Sequence, residues 1–351
     1  MKKRVAGVIA TVLLGAGLLA YYERAPAPSR APKPPAPKAV AAAPKNSIDD
    51  PLAPGRPARL ESEPRAESAD WVTARPRFQT SRSAAERGGI EPCATQAADT
   101  SAFEPWARLS QGMLLVPRQP AIDASGQFTL VVHLHGNDPV RRELVASGQR
   151  FVLYAITLDV GQSYAPLLSG QGLDALVTEV EQTLTQRGGR ASRVGHLVLS
   201  AWSAGFVGVE AALARPPAVG RPIDAVILID GLHAPRSDAS AFKAQLAPFV
   251  AYAERAAAGD GFFFVSHSSI DPPDFASTTE CAHYLVATLD GRPQAVRRDD
   301  RFGLELVEYF SRGDFHVRGY AGNDKADHCA QLALLRDVYA QLGRRWQSSI
   351  N

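Results

Sequence analysis

Leu197-Val198-Leu199-Ser200-Ala201-Trp202-Ser203-Ala204-Gly205-Phe206-Val207-Gly208 is an apolar run that stops abruptly at a serine and continues in small residues. Val209 to Ala214 then reads as helix. A buried strand that bends sharply into a helix holds a serine hydroxyl up at the edge of a sheet. The bend requires small residues two places before and two places after the serine, and Ala201 and Gly205 fill those places. The helix start adds the Ala204 N–H and a partial positive charge, which suit a developing oxyanion. The plain alternative is a serine that caps a buried helix.

The sequence around this bend alternates short apolar runs with helical stretches from about Met113 onward. Strands are expected at Gly112–Pro117, Phe128–Leu134, Phe151–Ile156, Val198–Ala201, Ala225–Ile229 and Phe262–Val265, with one or two more between Leu304 and Val317. Helices are expected at Pro139–Ser147, Leu173–Thr185, after the bend to Ala214, at Ala239–Ala257, and from the capping box Ser277-Thr278-Thr279-Glu280 to Leu289. A closing helix is expected from Ala326 to Trp346. Continuous apolar strands separated by helices predict an α/β domain, a mostly parallel sheet covered by helices on both faces. Its chemistry should lie beyond the carboxyl ends of the strands.

Those ends carry three groups of interest. His135-Gly136-Asn137-Asp138 follows the first long strand, Asp230-Gly231-Leu232-His233 follows the strand after the bend, and Ser266 to Asp274 follows the next one. Near the end of the chain, Gly322-Asn323-Asp324-Lys325-Ala326-Asp327-His328-Cys329-Ala330 puts His328 in a polar loop running into the last helix. His316 lies in a strand-like alternation, and His196 precedes the bend strand at its wrong end.

Ala201-Trp202-Ser203-Ala204-Gly205 resembles the G-x-S-x-G nucleophile elbow of the α/β-hydrolase family, with alanine in the first glycine's place. His135-Gly136 resembles that family's oxyanion loop, and the order Ser203, aspartate, His328 matches its order of nucleophile, acid and base. The resemblance covers about Met113 to Trp346. It implies Ser203 as nucleophile, His328 as base, an oxyanion hole from Gly136, Asn137 and Ala204, and an acid that is either Asp271, in the family's commoner position with Asp274 behind it, or Asp230, where some members place it. Asp230 is preferred because it abuts a strand end and is followed by glycine; Asp271 sits in a proline-rich loop. The expected function is a serine hydrolase acting on a carboxylic ester of a small molecule or lipid, with a lipase or amidase as variants. No cofactor or metal is expected in this reading.

Two other readings compete. One is a catalytically silent hydrolase-like module that binds envelope components. The other is a zinc-dependent hydrolase using His133 and His135, which alternate on one strand. Trp202 would either wall the acyl pocket or serve as packing.

The chain has 351 residues and 45% apolar content, enough for one large domain with extensions. A formal charge of +2 is too near neutral to point to nucleic acid as a partner. Met1-Lys2-Lys3-Arg4 precedes an uncharged run from Val5 to Ala20. That pattern is a signal peptide or a short membrane anchor near the lower limit of roughly 17–25 spanning residues. A cut after Ala20 would leave Leu18 at a position that prefers a small residue, which favours an anchor. Residues 1–22 are therefore assigned to export or to the membrane. Residues 23–105 form a Pro/Ala-rich disordered linker and lead-in, and 106–351 the catalytic-type domain. The expected location is periplasmic or in the cell envelope, with the inner membrane as anchor. In that oxidising setting Cys281 and Cys329 are the expected pair, pinning the loop beside His328 and leaving Cys93 over.

Overall fold

The computed structural model describes residues 99–118, 121–158, 163–215, 221–300 and 302–348. The signal or anchor segment, nearly all of the linker, and Cys93 lie outside the described residues. Among the described residues no helix is long and apolar enough to cross a membrane.

The strands are β1 (Ala107–Arg108), β2 (Met113–Leu115), β3 (Gln127–Leu134), β4 (Val152–Ile156), β5 (Arg193–Trp202), β6 (Ala225–Ile229), β7 (Ala234–Pro235), β8 (Phe262–His267), β9 (Phe275–Ala276), β10 (Gln294–Asp299), β11 (Glu305–Arg312) and β12 (Phe315–Tyr320). The helices are α1 (Asn137–Ala146), α2 (Ala165–Leu168), α3 (Gly172–Gly188), α4 (Phe206–Leu213), α5 (Ala239–Ala257), α6 (Thr278–Thr288), α7 (Lys325–Ala330) and α8 (Leu334–Ser348). Ten strands form one sheet in the order β1-β2-β4-β3-β5-β6-β8-β12-β11-β10. The six from β4 to β12 are mutually parallel, and antiparallel strands extend both edges. β7 and β9 make a separate two-stranded ribbon.

The pleat explains the two layers. Val132, Leu199 and Val226 face one side, where they pack with Leu176 and Val180 of α3, Phe206 of α4 and Phe249 of α5. Val131, Val198, Ile227 and Phe264 face the other, against Val140 and Leu144 of α1 and Val338 and Leu342 of α8. Both faces are apolar, so the strands read as unbroken hydrophobic runs rather than alternating ones.

The expected α/β class, a mostly parallel sheet between helices, is the observed one. Ala225–Ile229 and Ala239–Ala257 fall where expected, and the Ser277/Glu280 capping box forms with both of its hydrogen bonds. Two expectations are corrected. The closing helix is not continuous: a 3-10 turn at Gln331–Ala333 separates α7 from α8. Cys281 is a buried free thiol, whereas Cys329 is in a disulfide, so the expected Cys281–Cys329 pair does not form. Cys281 faces inward from α6 within the apolar core, where a thiol behaves as a small hydrophobe.

Candidate active site

Strand register brings the site together. In β5 and its neighbours, Leu134 pairs with Ala201 and Trp202 pairs with Ile229. The next residues along each strand, His135, Ser203 and Asp230, therefore emerge side by side at the carboxyl edge. All three have left-handed backbones, with φ of 75°, 51° and 41°. Such values in non-glycine residues are strained and cluster at functional sites.

Close backbone packing holds the bend in place. A Cβ on Gly205 would come within 2.4 Å of the Leu134 carbonyl oxygen, so only glycine lets the bend sit against β3. A Cβ on Gly231 would likewise meet Ser203 O at 2.4 Å and Ser203 N at 2.8 Å, so the loop after Asp230 lies against the serine's own backbone. Ser203 is 4% exposed.

Asp230 and His328, 98 residues apart, meet at 2.7 Å between Oδ2 and Nδ1. The other carboxylate oxygen of Asp230 accepts from the Ser268 N–H and the Thr278 hydroxyl, both at 2.8 Å. Burial alone would raise the Asp230 carboxyl, but the bond and charge of His328, with the Thr278 and Ser268 donors, outweigh it. The group is held below its ordinary value. Asp271 is exposed and ion-paired with Arg236 at 2.7 Å, and Asp274 is also exposed.

Trp202 packs between two imidazoles. Its ring lies between those of His135, with centroids 5.1 Å apart, and His328, at 4.8 Å. Its Nε1–H donates to the His328 carbonyl at 3.3 Å. The residue before Ser203 thus supports the imidazole. In the oxyanion-type loop, Gly136 has φ of 100° and directly precedes α1, whose first residue is Asn137. The Gly136 N–H donates to Thr157 Oγ1 at 3.1 Å, and Thr157 in turn donates to Asn137 Oδ1 at 2.8 Å. Ala204 is buried in the 3-10 turn that opens α4.

His133 and His135 do not make a pair of metal ligands. His133 is fully buried, and its Nε2 donates to the His135 carbonyl at 2.8 Å. Its Nδ1 therefore accepts from the Ser200 hydroxyl at 2.9 Å, so both nitrogens are used. Burial pushes its pKa down to about 3. The left-handed turn at His135 sends that ring away to Trp202 and Tyr164. His316 is buried in β12 and bonded to Ser311, and His196 stacks on Trp346 at the opposite end of the sheet. That opposite end also carries a cavity of about 770 Å³, lined by Gln127, His196 and Trp346 among others; it contains none of the residues at the bend.

Sequence reasoning missed Ser268 and Thr278, which hold the Asp230 carboxylate. The signal for Thr278 was the capping box itself, because the residue after the cap begins α6 facing the Asp230 loop.

No family model matches the chain, and no curated protein matches it. Solved structures similar in shape include a truncated carbohydrate esterase from gut microbiota, at 8% identity and TM-score 0.41, covering 70% of this chain and 99% of that one. An esterase B from Lactobacillus rhamnosis is similar at 13% identity and TM-score 0.39, covering 76% and 96% respectively. A puromycin-hydrolysing peptidase from Mycobacterium tuberculosis is similar at 16% identity and TM-score 0.37, covering 68% of this chain and 40% of that one.

Proposed function

We propose that the chain is a serine hydrolase that cleaves carboxylic esters through Ser203, His328 and Asp230. The observation that carries this reading is the 2.7 Å contact between His328 Nδ1 and Asp230 Oδ2, made beside a serine held at positive φ. A carboxylate accepting from Nδ1–H leaves the lone pair on Nε2, which is the tautomer a general base needs. Ser203 Oγ would attack the acyl carbon as Nε2 takes its proton, and the buried Asp230 would stabilise the imidazolium. The alcohol then departs with that proton, and water repeats the sequence on the acyl-enzyme.

The oxyanion would be held by the backbone N–H of Ala204 and of Asn137. Because the Gly136 N–H is donated to Thr157, the glycine's part is to shape the loop. Positive potential at the start of α1 adds to the Asn137 donor.

Export to the cell envelope is part of the same proposal. It is supported by the basic head and apolar run at Met1–Ala20, and by a disulfide at Cys329, which suits an oxidising compartment.

The test is covalent labelling by a fluorophosphonate probe together with turnover of nitrophenyl esters. The wild-type chain should label and Ser203→Ala should not. Turnover in Ser203→Ala should fall by at least about 10⁴-fold. Labelling that persists in Ser203→Ala counts against the serine; no labelling of the folded wild type points to a silent module.

A further inference from the structure

A second cluster of chemistry-bearing side chains stands directly behind the acid, and the hydrolase reading does not use it. Glu308 of β11, Gly319 of β12 and His267 of β8 are register partners in one row across three adjacent strands. The middle member has no side chain. A Cβ at Gly319 would lie 2.6 Å from both Glu308 Cγ and His267 Nε2, so the glycine leaves the space between the two outer residues clear. His283 reaches the same space from α6, with its Nε2 2.5 Å from Glu308 Oε1. The ligand atoms of His267, His283 and Glu308 all lie within 4.8 Å of one another.

Hydrogen bonding fixes how His267 is presented. The Thr279 hydroxyl donates its one proton to the Ser268 carbonyl at 2.7 Å. It must therefore accept from His267 Nδ1–H, 2.9 Å away. In the neutral ring this leaves a lone pair on Nε2, in a side chain 1% exposed. That atom lies 3.1 Å from Glu308 Oε1, but a proton in the plane of the ring would not point squarely at that oxygen. An imidazole nitrogen and a carboxylate oxygen facing each other in a buried place are bridged by either a ring proton or a metal cation, and the second imidazole of His283 on the same oxygen gives the cation a third ligand. An imidazole oriented by a hydroxyl through its second nitrogen is the usual outer-shell arrangement of a metal ligand. Two ligands of one tetrahedral zinc ion stand roughly 3.3 Å apart, close to the His267–Glu308 spacing.

We propose that His267 Nε2, His283 Nε2 and the Glu308 carboxylate form a binding site for a divalent transition-metal ion of the zinc type. Two imidazoles and a carboxylate suit zinc better than calcium or magnesium, and they leave a fourth position for water on the half-buried His283 side. The ion would tie β8, β11 and α6 together. Its role would be positioning: Ser268 and Thr278, the two donors on Asp230 Oδ1, are the chain neighbours of His267 and Thr279.

The full-length chain, stripped with chelator, is titrated with zinc and in parallel with cobalt(II), whose visible absorption reports tetrahedral nitrogen and oxygen ligation. One equivalent should bind. Binding should be lost in His283→Ala and in Glu308→Gln, and weakened about 10–100-fold in Thr279→Val, each checked for folding by circular dichroism. His328→Ala should keep the ion, which separates this site from the imidazole at the bend. A folded wild type that takes up no ion overturns the proposal. So does binding that survives in both His283→Ala and Glu308→Gln, or binding lost in His328→Ala alone. These readouts do not depend on whether the protein hydrolyses esters.

Discussion

In the proposed mechanism the carboxylate that touches His328 holds the base in its working tautomer. Asp230→Asn keeps the shape but presents an amide to Nδ1, so the ring is offered the wrong tautomer. Ester turnover should then fall on the order of 10⁴-fold. Asp271→Asn should change turnover by less than about threefold, because that side chain is exposed and engaged with Arg236. Comparable losses from both variants would contradict the geometry. Glu210 of α4 gives a separate prediction. Burial is the main cause that pushes its pKa up from 4.5 to about 7, with the nearby Gln245 offsetting part of the effect. The native state therefore holds a proton that the unfolded chain releases, so stability falls as pH rises from 4.5 towards 7 and is flat above that. Glu210→Gln should be more stable than wild type by about 1–3 kcal/mol above about pH 7.5, and equal to it near pH 4. Urea unfolding at the two pH values measures the difference.

At the scale of elements, the site depends on how closely three loops approach. Gly231→Ala puts a Cβ 2.4 Å from Ser203 O, a backbone atom with nowhere to go. The variant should lose about 1–3 kcal/mol of stability, and turnover should fall more than the loss of folded protein explains. Thermal unfolding and kcat on the same preparation separate the two effects. The start of α6 matters for the same reason. Ser277 caps the helix and Glu280 returns the bond, and this fixes Thr278 against Asp230. Ser277→Ala should cost about 1 kcal/mol and lower kcat more than it raises KM, because the acid loses its support rather than the substrate its pocket.

At the scale of the whole molecule, the interior holds histidines that the fold keeps neutral. Burial is the leading cause that lowers His133 and His316 to about 3, and His135 and His233 to about 4. Each has a native pKa below its unfolded value of 6.5, so unfolding takes up protons once the pH falls below that value. Stability is full above about pH 6.5 and is lost as pH falls towards 4. Near pH 5 the four histidines outweigh the opposite contribution of Glu210, leaving a net uptake of about three protons. Urea midpoints should drop steeply between pH 6.5 and 4.5; a flat profile over that range would refute the account.

The apolar runs, the capping box and the small residues around Ser203 were legible in the chain because each is a local matter of periodicity, backbone space or a single hydrogen bond. They were enough to determine the layered α/β class and the bend. The short edge strands carried no such signal: β10 is a charged, exposed run, Gln294–Asp299, whose pairing comes from β11 rather than from its own composition. Asp230 and Asp271 both follow apolar strands, and only the approach of His328 across 98 residues puts an imidazole against the first of them. The cysteine outcome and the row Glu308, Gly319, His267 were invisible for the same reason. Local sequence determines which element a residue joins, whereas contacts between distant elements are decided by strand register and by how the helices pack, and those exist only in the assembled fold.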